Sequence, residues 1–171
     1  MGSTADLGYE VKVEELAFQL WKQIAENGYV LVYGAEKDSD SLSTAAARGA
    51  KSVWWIVMGV TYGNTPDIRG EMKQYTDCIV CTWLGRGGGR EFILVSSCDA
   101  IITVGWGSGT LNEITIAYQK KIPIVCMKET GGWSDKLADQ YLDDRYNTDT
   151  ERFICKGVNT PKEAIDYLNS L

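Results

Sequence analysis

The chain has 171 residues and not one histidine. That absence removes Ser-His-Asp and Cys-His triads, imidazole acid–base catalysis and most catalytic zinc sites. Whatever chemistry occurs must use carboxylates, Arg, Lys, Tyr, Cys or backbone dipoles, and no metal site is expected. Positive charge is also scarce. Lys and Arg number 17 against 23 Asp and Glu, a net charge of −6. Nucleic-acid surfaces carry a basic face, so nucleic acid is a poor partner for this chain. No apolar run approaches the roughly 20 residues of a membrane span, and no signal peptide is visible. The five cysteines are odd in number and scattered, so a reduced, cytoplasmic home is expected rather than a disulfide framework.

What is present is ordinary in bulk: 44% hydrophobic and 23% charged residues, suited to one globular domain over residues 1–171. Val13, Leu16, Ala17, Leu20 and Ile24 recur at helical spacing, and Asn27-Gly28 ends that helix. Apolar strands are expected at 29–33, 56–60, 78–81, 100–104, 123–127 and 153–155. Helices are expected over the Ala-rich stretch 43–50, from Arg90, over 110–120, and from Thr160-Pro161 to Leu168, with proline at its favoured first position. Strands alternating with helices predict an α/β fold with a parallel, doubly wound sheet. Such a fold opens on a central apolar strand, yet Gly2-Ser3 reads as the turn that would follow one. The expectation is a sheet lacking its first strand and a chain shortened at its N-terminus. A stop codon immediately upstream of Met1 would contradict that.

The most informative stretch is Arg90-Glu91-Phe92, then the buried strand 100–104, then Gly105-Trp106-Gly107-Ser108-Gly109-Thr110-Leu111-Asn112-Glu113. Strand, glycine-rich turn, hydroxyl and helix set free backbone N–H groups and a positive dipole end against an anion. Glycines let a phosphate approach the backbone. A phosphate-bearing ligand is the first reading, held by Gly105, Gly107, Ser108, Gly109 and Thr110.

This segment resembles the SLOG superfamily, which includes the "lonely guy" (LOG) cytokinin-activating enzymes, the so-called lysine decarboxylase-like proteins and molybdenum cofactor carrier proteins. The LOG pattern has an arginine at a helix start, then a strand and Pro-Gly-Gly-x-Gly-Thr-x-x-Glu. Arg90 matches the arginine, and Gly107, Gly109, Thr110 and Glu113 match the loop. Gly105 stands at the proline, Trp106 at a glycine, and Glu91 where LOG has lysine. The likeness is closer to a bacterial branch with Gly-Gly-x-x-Gly-Thr-Leu-x-Glu and an upstream Thr-Gly-Leu-Gly. It covers about 14–171 and is specific over 82–125. Gly34-Ala35-Glu36-Lys37 departs from the family's second glycine-rich loop.

The resemblance implies a Rossmann-like fold, a homodimer or higher homo-oligomer, and catalytic roles for Arg90 and Glu113. These roles serve cleavage of a nucleoside 5′-monophosphate into free base and ribose 5-phosphate. No cofactor is required, and AMP or phosphate is the ligand expected. A carboxylate beside the scissile bond suits oxocarbenium character, as in glycosidases. Likeness to the carriers implies a non-catalytic alternative, a carrier or sensor of a nucleotide or molybdopterin-type cofactor. An inactive chain is the third reading. A decarboxylase is not expected, because nothing marks a lysine for pyridoxal phosphate.

Individual residues keep their plainer alternatives. Thr110 and Glu113 fit a capping box, in which each satisfies the other's orphan amide. Arg90 could be a solvated surface arginine, although a cation at a helix N-terminus opposes the dipole and needs another reason to sit there. Cys78 and Cys81 look like a redox or metal pair, but three apart on a strand they face opposite ways, and buried core thiols are expected. Arg86 to Arg90 makes a small basic loop, and Asp38-Ser39-Asp40 a solvated turn and helix cap.

Six tryptophans complete the reading. Trp83 lies in Thr82-Trp83-Leu84-Gly85, where the resembling branch has Thr-Gly-Leu-Gly. Trp54-Trp55 stand at a Gly-Gly pair, and Trp21 and Trp106 at positions often glycine. Only Trp133, in Gly131-Gly132-Trp133, suits the pattern. Either these indoles fill a core, or they are glycine codons (UGA in the source) read as tryptophan. UGG at the Trp106 codon would refute the second idea.

Overall fold

A computed structural model describes residues 11–37, 41–85, 87–105, 107–142 and 154–171. The first helix, α1 (Val11–Glu26), buries Val13, Ala17, Leu20 and Ile24 on one face, the stripe that its three-and-four spacing dictates. Gly28, at φ 87°, stops it and turns the chain into β1 (Leu31–Gly34). Then come α2 (Leu42–Lys51), β2 (Val57–Thr61), a 3-10 turn (Gly70–Tyr75) and β3 (Cys78–Cys81). Small residues in α2 let it lie close on α1: a Cβ at Gly49 would fall 2.1 Å from the Phe18 carbonyl oxygen.

The second half follows the same rhythm. It runs α3 (Arg90–Ser96), β4 (Ile101–Thr103), α4 (Ser108–Lys120), β5 (Ile124–Met127) and α5 (Gly132–Leu137). It closes with β6 (Gln140–Tyr141), β7 (Ile154–Val158) and α6 (Pro161–Leu168). Thr160 caps α6 by accepting the Glu163 N–H at 3.2 Å, and Pro161 opens it as expected.

The strands form two sheets, β1-β2-β3 and β4-β5-β7-β6. Every pairing is parallel except β6 with β7. Helices cover both faces of the second sheet. On one side Leu20 and Ile24 of α1 and Ala164 and Ile165 of α6 pack with Ile102, Val125 and Met127. On the other, Val95 of α3 and Ile114 and Ala117 of α4 pack with Ile101, Ile124 and Cys126. A third cluster joins Leu31, Tyr33 and Val57 to Ala46, Ala47 and Ala50 of α2. This is the expected doubly wound α/β architecture.

Several expectations need correction. The sheet is not wholly parallel, because the two-residue β6 returns antiparallel along β7. Neither it, α5 nor the 3-10 turn stood out from the apolar pattern. Cys78 is exposed and Cys81 only half-buried, because among the described residues β3 is an edge strand. Both thiols are free, as are Cys98, Cys126 and Cys155. Trp54 and Trp83 are 88% and 73% exposed, so they fill no core. Trp21 and Trp55 do pack against the apolar clusters. Trp106, Arg86, Phe153, the Asp38–Asp40 turn and the Gly2-Ser3 turn lie outside the described residues. Among the described residues, no ladder joins β1 to β4, and no helix is long and apolar enough to cross a membrane.

Candidate functional site

In a doubly wound sheet, ligands sit at the carboxyl ends of the strands. Here Glu36 leaves β1, Tyr62 leaves β2 and Gly105 follows β4. Arg90 reaches the same end from α3. Its lead is glycine-rich, with Gly87 and Gly89 at φ 77° and 104°, and buried Leu94 and Val95 seat the helix behind it. The guanidinium is turned inward rather than solvated, leaving Arg90 only 6% exposed.

Its surroundings explain how a buried cation is tolerated. Arg90 Nη2 donates to Glu36 Oε1 at 3.1 Å, and Glu91 Oε1 lies 3.5 Å away. The Tyr62 ring centroid is 5.8 Å from the guanidinium carbon. Gly34 supplies the space: a Cβ there would fall 1.9 Å from Arg90 Nη1. Acidic partners offset the desolvation and the unfavourable dipole of α3. Even so, Arg90 Nε is buried without a hydrogen-bond partner among the described residues. Buried donors are nearly always paired, so such an atom asks for an acceptor.

Glu113 is placed by α4. Gly107, at φ 144°, is the residue before the helix, and the first helical bond runs from the Leu111 N–H to the Gly107 carbonyl at 3.1 Å. The helix therefore begins two residues earlier than its apolar pattern suggests. Thr110 is already the third helical residue, Glu113 lies a turn deeper, and the capping box does not form. Glu113 is 8% exposed. Burial pushes its carboxyl up to about 7, with Arg90 pulling down and Glu91 and Glu36 pushing further up. Arg90, Glu36, Glu91 and Glu113 thus share one electrostatic neighbourhood.

The glycine-rich loop divides in two. Gly105 is tied into the fold: its N–H donates to Thr130 Oγ1 at 3.0 Å, and its carbonyl accepts the Ser134 N–H at 3.2 Å. Thr130 Oγ1 in turn donates to the Met127 carbonyl, and Ser134 Oγ bonds Thr103 Oγ1 at 2.8 Å. The Gly105 amide is thereby turned away from any anion. Ser108, Gly109 and Thr110 head α4 ahead of its own ladder, where amides lack helical partners. Ser108 and Gly109 are exposed and Thr110 is buried, and nothing lies within 4 Å of a Cβ built at Gly109.

The structure therefore brings Arg90 and Glu113 together and adds Glu36 and Tyr62. Sequence reasoning passed over both, and the usable signal was their position just past apolar strands. Among the described residues no cluster of three or more His, Cys, Asp or Glu is placed to hold a metal ion.

The sequence profile of the SLOG cluster4 family matches residues 1–165. An uncharacterised protein of Archaeoglobus fulgidus is 32% identical over 113 residues, 66% of this chain and 69% of that one. The fold is similar to that of a molybdenum cofactor binding protein of Rippkaea orientalis, with a TM-score of 0.73 and 23% identity. That match covers 99% of this chain and 91% of the other. It is similar too to the molybdenum cofactor carrier protein of Chlamydomonas reinhardtii, with a TM-score of 0.72, 24% identity and coverage of 95% and 89%.

Proposed function

The chain belongs to the SLOG cluster4 family, and from that premise we propose that it binds and carries a phosphate-bearing small molecule of the nucleotide or molybdopterin class. The observation that carries this reading is Arg90, a buried cation whose Nε has no partner among the described residues. A phosphate oxygen is the acceptor such a fork accommodates. The first turn of α4, with Gly107, Ser108, Gly109 and Thr110, would receive the same anion through backbone N–H groups. The fold it shares with molybdenum cofactor binding and carrier proteins supports a carrier rather than an enzyme.

Titration calorimetry with a panel of nucleoside 5′-monophosphates and with molybdopterin tests the proposal. Saturable binding of one of them, weakened at least about tenfold in Arg90→Ala, is the expected result. Absence of binding across the panel, or binding indifferent to Arg90→Ala, would overturn it.

A second reading rests on Glu113. A buried carboxyl at about 7 can hand a proton to a leaving base near neutral pH, and its ionised form can stabilise an oxocarbenium-like centre. In that reading the protein is a phosphoribohydrolase, with Arg90 holding the substrate. Chromatography of nucleoside monophosphate incubations decides between the two. Release of free base, lost in Glu113→Ala and Arg90→Ala, would establish hydrolysis; binding without release leaves the carrier.

A further inference from the structure

The ladder between β4 and β5 ends at Thr103 and Cys126. Two residues on, the Gly105 amide meets a side chain in place of neighbouring backbone: it donates to Thr130 Oγ1 at 3.0 Å. The same hydroxyl gives its own proton to the Met127 carbonyl at 2.7 Å, which anchors it to the last residue of β5. Thr130 is 3% exposed, and its hydroxyl uses both donor and acceptor inside the protein. From the other side, the Ser134 N–H binds the Gly105 carbonyl at 3.2 Å, and Ser134 Oγ reaches Thr103 Oγ1. Asp135 braces the turn. Its two carboxylate oxygens accept the Thr130 N–H at 3.4 Å and the Gly131 N–H at 2.8 Å.

A hydroxyl in that position does what another rung of the ladder could not. A further backbone pair would carry β4 straight on, whereas a side chain ends the strand and still satisfies the amide. Gly105 accordingly turns, at φ 80°, a conformation that glycine adopts without strain. Two residues later Gly107 opens α4 at φ 144°. With Gly105 held at both its N–H and its carbonyl, the turn after β5 sets the direction in which the chain leaves β4.

We propose that Thr130 is a positioning residue, which through Gly105 sets the backbone amides at the head of α4 where the anion is received. Asp135, whose side chain is exposed, holds Thr130 and brings the same control to the surface. This rests on the phosphate-binding reading above and names residues outside the site that tune it.

The test uses Thr130→Val, which keeps the branched shape and removes the hydroxyl. Two readouts are taken on the full chain: the Kd for AMP by calorimetry, and the Ser108 and Gly109 amide resonances without ligand by NMR. Thr130→Val is expected to weaken AMP by about tenfold and to move both resonances. Thr130→Ser, which returns the hydroxyl, should restore both readouts. Thr160→Ala, which removes the cap of α6, lowers stability at a distance from the loop and should change neither. Wild-type affinity and unmoved resonances in Thr130→Val would overturn the proposal. So would a Thr130→Ser chain no better than Thr130→Val, or a Thr160→Ala chain equally weak for AMP. A wild-type chain that binds no nucleoside monophosphate and no molybdopterin sinks the phosphate reading alone. The ligand-free resonances then still decide: moved by valine and restored by serine they uphold the positioning, and unmoved they refute it. If Thr130→Val does not fold, Asp135→Ala takes its place. It should move the same resonances and weaken AMP by about threefold, and no change in either would count against Thr130.

Discussion

Trp54 and Trp83 hold φ at 61° and 64°, a left-handed conformation that costs an L-residue about 1–2 kcal/mol and glycine almost nothing. Both side chains are mostly exposed, so little burial offsets that strain. Trp54→Gly and Trp83→Gly are each expected to raise stability by about 1 kcal/mol in urea unfolding, after allowing for glycine's extra freedom in the unfolded chain. A loss of stability would argue against glycine as the fitting residue. Trp21 is different, sitting inside α1 and packed against two clusters; glycine there would destabilise. Glu113 carries a second residue-scale consequence. Its pKa rises from 4.5 to about 7 on folding, so between those values the folded chain holds a proton that the unfolded chain has lost. This contribution is fully present in acid and falls away as pH rises through 7, by about 3 kcal/mol in total. Glu113→Gln should flatten that slope, measured by urea unfolding at about pH 5 and pH 8. An unchanged slope would show that the carboxyl is not buried in solution.

At the scale of the element, α4 and α6 allow a controlled comparison of two helix starts. Gly107 precedes α4 at φ 144°, where a Cβ is strained, and Thr160 caps α6 through the Glu163 N–H. Gly107→Ala and Thr160→Ala should each cost about 1 kcal/mol. Only Gly107→Ala should also weaken binding of the phosphate ligand, since it alone disturbs the amides at the head of α4. Equal effects on binding would mean that lost stability, not the loop, is being read. The same helix shows what local pattern could and could not reveal. Apolar spacing placed α4 near 110–120, but its true start at Ser108 depends on backbone conformation at Gly107. That difference of two residues separates a capping Glu113 from one buried a turn deeper.

Over the whole molecule, α1 spans the two sheets: Leu20 and Ile24 belong to the cluster over β4 and β5, Ala25 to the cluster over β1 and β2, and Trp21 touches both. Side-chain packing, not a strand ladder, is therefore what unites the halves among the described residues. Leu20, fully buried in α1, belongs to that packing. Leu20→Ala should cost about 2–5 kcal/mol in urea unfolding. A loss well under about 1 kcal/mol would mean that α1 does not hold the halves.

The sequence by itself determined the alternation of strands and helices, the doubly wound class, and the placing of Arg90 at the head of one helix and of Glu113 in the helix that follows a glycine-rich turn. Each of these is written in spacing over a few neighbouring residues, through the periods of helix and strand and through glycine's freedom. Only the tertiary structure decided that Glu36 and Tyr62 accompany Arg90, that Gly105 is held by Thr130 and Ser134, and that Gly34 makes room for a guanidinium. It also decided that Cys78 and two tryptophans face outward and that β6 runs backward. Those outcomes depend on which residues, tens of positions apart, the packing of helices on the sheet brings within a few ångströms, and no local period encodes that.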